Sequence, residues 1–310
     1  MSSADNTNTA SPAKNSPFPR LKITKRGLRL GSGLILFVFV LTHLTNHALG
    51  LISLEAMETG RHYFLLAWRN PVGTTLFLGS LVIHMMFALH ALYSRRRLKM
   101  SIGEALQLIL GFAAPVLLVS HILGTRAAMQ TFDTTDTYTY VLLALWVDAL
   151  THGIRQTAAT LVVWVHACIG IYYWLRLKPW FARSLAWLYG LALLFPVLGL
   201  LGFVAAGRTV GRMIADDPGF RLDVQIDTNS PTSDQIEFLY LLEERILLGL
   251  GALLLLTLLA RGIRLYVESQ RHIVRIRYPE GRNVSVPPGT TILEASQLND
   301  IPHASVCGGR

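Results

Sequence analysis

Six runs of about 20 mostly apolar residues dominate this chain, and a helix of that length crosses the ~30 Å hydrocarbon core of a bilayer. They fall at approximately 29–51, 73–94, 104–125, 157–176, 185–206 and 241–262. Lipid offers the backbone no hydrogen-bond partners, so such runs must satisfy their own amides as helices. The expected fold is therefore an all-α polytopic membrane protein, with six spans inside residues 28–265. Charged residues make up only 15% of the chain, against roughly 25% in soluble domains, which excludes a disordered chain and an ordinary soluble enzyme. A net charge of +9 would suit nucleic acid, but the cations gather at the ends of apolar runs, as membrane topology requires. The lipid bilayer is the expected partner, and nucleic acid is not.

Short loops with excess Lys and Arg stay on the cytoplasmic side. Lys14, Arg20, Lys22, Lys25, Arg26 and Arg29, then Arg95, Arg96, Arg97 and Lys99, then Arg176, Lys178 and Arg183 lie on one side. The first two opposite loops carry only Arg61, Arg69, Arg126 and Arg155. Both chain ends are predicted to be cytoplasmic. The Ser/Asn/Thr/Pro-rich stretch within residues 1–27 can bury little and is expected to be a disordered basic tail.

Ionisable side chains inside membrane helices are costly and mark partners or pathways. His43, His47, His84, His90, His121 and His166 all lie in the first four runs, and the last two runs hold none. At a helical rise of about 1.5 Å per residue, His47 and His121 should share a depth near the outer face, and His84 and His166 one in the inner half. Two pairs at two depths on alternate helices suit two b-type haems with two axial imidazoles each, held in a four-helix bundle. His43 is an alternative to His47, because the two stand one turn apart on one helix face. His90 reads as an interfacial residue. Gly50, Gly124 and Gly170 could leave room for a flat macrocycle or serve helix packing. Arg126, Arg155 and Arg69 lie where propionates of an outer haem would need cations. The alternative reading is that these histidines only hydrogen-bond between helices. Pro115 and Pro196 are expected to kink the third and fifth spans. Two cysteines, Cys168 and Cys307, imply no disulfide framework, and Cys168 reads as packing.

Residues 270–310 change character to a soluble segment. His272–Tyr278 alternates apolar and charged residues as a strand does, Pro279-Glu280-Gly281 forms a turn, and Asn283–Val286 reads as a second strand of a hairpin. Thr290 or Thr291 can cap a helix carrying Ile292, Leu293, Ala295 and Leu298. A loop with Cys307-Gly308-Gly309 follows.

The order hairpin, Pro-Gly, ILEA helix and IPHASVCGG resembles the opening half of a [2Fe-2S] ferredoxin of the plant/adrenodoxin group, a small α+β (β-grasp) domain. In that family the first cluster cysteine sits where Cys307 stands, and further cysteines follow soon after. The chain is therefore expected to be a fragment cut within that domain. HLTNHALGL, HMMFALHALYSRRRL, SHILGTR and VWVHACIGIYYWLRLKPW in the first four runs resemble the six-helix anchor found before a ferredoxin domain in certain bacterial class III adenylate cyclases. The first four helices of that anchor are in turn similar to the haem-bearing anchor subunits of succinate dehydrogenase and fumarate reductase. The resemblance implies a bacterial inner-membrane location, haem b at two sites, a [2Fe-2S] cluster in the full-length protein and a quinone near one haem. It also implies a homodimer through a downstream catalytic domain that makes cAMP from ATP; the residues in hand carry no catalytic group of their own. Two rival readings are a cytochrome b-like electron-transfer subunit serving a soluble reductase, and a cofactor-free anchor.

Overall fold

The computed structural model describes residues 24–270, 273–279 and 281–302. Six of its helices are long and apolar enough to cross a membrane. They are α1 (Lys25–Ala48, extended by a 3-10 turn at Leu49–Leu51), α3 (Pro71–Ser94), α4 (Ile102–Ile122), α7 (Leu150–Leu175), α8 (Phe181–Asp216) and α10 (Ser233–Ser269). The shorter helices α2 (Leu54–Trp68), α5 (Ala128–Phe132), α6 (Tyr138–Leu142) and α9 (Phe220–Asp227) fill the connections on the face away from the chain ends, here called the far face.

Polar residues at the starts fix where these helices begin. Thr24 Oγ1 accepts from the Gly27 amide at 3.0 Å, and Asn70 caps α3 with Pro71 in its first turn. Ser101 with Glu104 and Thr232 with Gln235 form reciprocal capping boxes on α4 and α10; a cap of this kind is worth about 1 kcal/mol. Pro115 and Pro196 both lie inside continuous helices. Within the spans, several threonines fold back on their own helices, as Thr42 Oγ1 does onto the Val38 carbonyl at 2.9 Å and Thr257 Oγ1 onto that of Leu253 at 2.8 Å, which pairs their hydroxyls without a neighbouring helix.

The spans close into a ring. α1 packs on α3, and α4 on α7. α10 bridges α3 to α4, and α8 bridges α1 to α7. The histidine-bearing helices thus form two pairs, joined by the two helices that carry none and by a direct contact of α1 with α7, where Phe37 meets Trp164 at 5.8 Å. The α1–α8 seam is tight: a Cβ on Gly202 would lie 2.0 Å from the His47 carbonyl, and one on Gly50 would lie 2.5 Å from that of Gly202. Gly50 therefore serves close backbone packing rather than clearance for a ligand. Beyond α4 the chain widens into a π-helical turn over Leu123–Ala127, and a second π turn spans Leu143–Asp148; such turns are rare and cluster at functional sites.

On the near face, where the chain ends, β1 (Val274–Arg277) pairs antiparallel with β2 (Asn283–Val286), Ile276 opposite Val284. Burial alternates along β2, and Val284 and Val286 pack with Ala295 of α11 (Ile292–Leu298) and with Ile276, Tyr278 and Ile301. Thr291 caps α11 in a box with Glu294. The hairpin and capped helix thus form as the alternation and the Thr-x-x-Glu signal require. Residues 1–23, which include most of the expected tail, and Cys307 lie outside the described residues.

Candidate functional site

The near-face histidines meet between the two helix pairs. The rings of His84 on α3 and His166 on α7 have centroids 6.1 Å apart and stand nearly perpendicular, at 88°. With a metal–imidazole bond of about 2 Å, an iron held axially by two imidazoles sets ring centroids roughly 6 Å apart.

The outward nitrogen of each ring is already engaged. His166 Nδ1 lies 3.0 Å from the Gln107 carbonyl. A carbonyl can only accept, so Nδ1 carries the proton and Nε2 the free lone pair. Metal-ligating histidines are oriented by this kind of bond. His84 Nδ1 is 3.4 Å from Ser32 Oγ, whose own proton goes to the Arg29 carbonyl at 3.1 Å, so the same tautomer follows. Gly33 and Gly111 face these rings. A Cβ at Gly111 would sit 2.7 Å from His166 Cε1, and one at Gly33 would sit 3.1 Å from His84 Cε1.

Three rings gather toward the far face. Depth counting placed His47 level with His121, but the ring standing 6.1 Å from His121 is His43. The difference comes from the helix starts. α1 begins at Lys25 rather than Arg29, which puts His43 18 residues along it, and His121 lies 19 residues along α4. His47 turns toward α8, where it stacks on Phe203 at 5.7 Å and 19°, with Tyr138 edge-on at 5.6 Å. His43 stacks on Phe39, and its Nδ1 is buried with no hydrogen-bond partner. An orphaned ring nitrogen of this kind calls for a water or a ligand. His43, His84, His121 and His166 are all half-buried. His90 is exposed, within 3.4 Å of Ser94 Oγ.

The far-face cations divide by partner. Arg69 binds the buried Asp136 through both guanidinium nitrogens, and Arg61 lies between Asp136 at 3.6 Å and Glu58 at 2.6 Å. Glu58 also accepts the Tyr138 backbone amide. Arg155 is committed to Glu243 at 2.6 Å and to the Val116 carbonyl at 2.8 Å. Arg126, in the π turn after His121, has no ion-pair partner among the described residues. Beside it the hydroxyl of Tyr140 donates to the Gly124 carbonyl at 3.2 Å. Burial and the charge of Asp136 push that phenol up to about 12, so it stays a donor.

Sequence reasoning missed Gly33 and Gly111, whose only signal was glycine on an apolar helix, and Asp136, which sits far from its arginines in the chain. A Cβ on Gly170 would sit 3.3 Å from the Gln107 side chain, and nothing lies within 4 Å of where one on Gly124 would stand. Among the described residues, no three His, Cys, Asp or Glu side chains converge as a multidentate metal site would need; axial ligation of a porphyrin iron needs two. Comparison with known protein families, with curated proteins and with solved structures found no match.

Proposed function

We propose that this chain is a membrane redox-input module whose helical ring would hold two b-type haems, one between His84 and His166 and the other between His43 and His121. The observation that carries the reading is the repeated 6.1 Å separation of imidazoles contributed by opposite helix pairs. It is supported by the Nδ1 contacts that leave Nε2 of His84 and His166 free for a metal. When bound, haem supplies one-electron redox chemistry, at a potential set by its ligands and surroundings.

The protein's own part is to hold and shape. The Gln107 carbonyl and Ser32 fix the near-face rings, Gly33 and Gly111 give those rings room, and Arg126 offers a cation to a propionate. Arg155 and Arg69 are already neutralised by Glu243 and Asp136 and shape the rim instead. His47, beside His43 at 4.5 Å, packs the site from the α8 side.

Resemblance extends the proposal to the rest of the molecule. The hairpin and α11 would open a [2Fe-2S] ferredoxin domain with Cys307 as its first ligand, ahead of a class III adenylate cyclase domain in a homodimer at the bacterial inner membrane. A quinone would be the redox partner, and both chain ends would be cytoplasmic. Arg96 and Arg97 reach the Pro288 and Gln297 carbonyls, and Arg96 also pairs with Glu268 at 3.0 Å. The two carbonyl contacts join the end of α3, the helix of His84, to the soluble segment, and the ion pair joins it to α10.

Reduced-minus-oxidised spectra of the purified chain test the haem reading. His84→Ala or His166→Ala should each remove about half of the haem signal, and so should His121→Ala. Unchanged spectra in all three variants would overturn the ligand assignment.

A further inference from the structure

α10 uses one side of its length on the ring. Leu242, Ile246 and Leu247 pack on the cluster around Val119, and Arg261 and Arg264 hydrogen-bond carbonyls at the end of α3. One position round the helix, Glu244, Leu248, Gly251, Leu255, Leu258 and Gly262 recur in alternating steps of four and three, and all six are exposed. This is the 3.5-residue repeat of a left-handed helix–helix seam. A groove of about 680 Å³ runs beside its far half, lined by Tyr240, Glu244, Leu248, Gly251 and Ala252 with Arg155 of α7.

We propose that this stripe is where two copies of the chain meet in the membrane, packed in parallel about a two-fold axis, with Glu244 of each copy facing Arg245 of the other. Charge complementarity selects the occupant. Glu244 and Arg245 are adjacent, opposite in sign and exposed, and neither has a hydrogen-bond or ion-pair partner among the described residues. A two-fold operation satisfies both at once, because the same patch is used twice. Membrane topology gives every copy the same orientation, so the axis must run along the membrane normal and the helices must be parallel.

Leucines alone would not drive this contact, since lipid tails are equally apolar; close backbone approach and polar pairing would. Gly251 and Gly262 allow that approach, for nothing lies within 4 Å of where either Cβ would stand. The contact is independent of any bound haem and of any downstream domain.

Cysteine cross-linking of the full chain in native-composition membranes tests the seam. A disulfide needs Cα atoms roughly 4.4–6.8 Å apart, so Leu248→Cys, Leu255→Cys and Leu258→Cys should give oxidised dimers. Leu256→Cys and Ile263→Cys, as exposed as the seam leucines but off the seam, should not exceed the parent chain. Glu244→Arg should lower the dimer fraction at least about tenfold through like-charge contact, and adding Arg245→Glu should restore it. Equal cross-linking at all five positions, none at the seam, or no rescue by the double reversal would overturn the proposal.

Discussion

The two histidine sites share one ring separation but are built differently. At the near face, two histidines stand alone, each pinned by a neighbour on an adjoining helix and each backed by a glycine. At the far face, three rings crowd together, one buried nitrogen lacks a partner, and a network of arginines and acids encloses the end of the bundle. The near site is specified by a few small, rigid contacts. The far site is ringed by charge, and which imidazole of α1 meets His121 depends on helix register, because His43 and His47 differ by a single turn. The comparison teaches that one spacing of rings can be held either by packing or by electrostatics, and that perturbations should separate the two.

The largest separation should come from the ligands of the far site. His43→Ala should remove the far-site haem, whereas His47→Ala should leave both, measured as haem per chain in detergent; the opposite result would exchange their roles. Gly111→Val should imitate His166→Ala, since the added carbon would begin 2.7 Å from the imidazole. The near-site haem should fall while the far-site spectrum is kept, and a normal near-site spectrum would break the packing half of the comparison.

Asp136→Asn tests the electrostatic half. Removing one partner from a buried ion pair leaves Arg69 uncompensated and should cost about 3 kcal/mol, seen as a lower Tm for the purified chain. The near-site spectrum should not move.

A smaller effect is expected from pH. Burial raises the Tyr140 and Tyr138 phenols above the usual range, so the unfolded state ionises first as pH rises. The associated stability is complete below pH about 10 and is lost on the way to 12. A denaturation series across that interval should show the decline in the wild type and less of it in Tyr140→Phe. At the low end of the scale, Gln107→Ala should leave the near haem in place, because His166 is held by the main-chain carbonyl of Gln107 and not by its side chain.

Much of the architecture was legible in the sequence because membrane spans are written in hydropathy. The Thr291 cap is a short-range signal, and so is the alternation that makes β1 and β2; the Ser101 and Thr232 boxes emerge only in the structure. His84 and His166 could be matched by counting back from the cationic ends of their helices. His43 and His121 could not, since apolar runs fade gradually at their starts: α1 begins four residues before Arg29 through an N-cap at Thr24. The far-face helices α2, α6 and α9 mix polar and apolar residues and announce no span. The pairing of Arg69 with Asp136 and of Arg155 with Glu243 exists only in three dimensions, as does the opposition of Gly111 to His166.

The most direct test of the central claim is the haem content of the wild-type chain purified from haem-replete cells, read by the pyridine haemochrome method. Haem b is expected at about two per chain, six-coordinate and unreactive to carbon monoxide when reduced, as ligation by two imidazoles requires. A colourless preparation would contradict it.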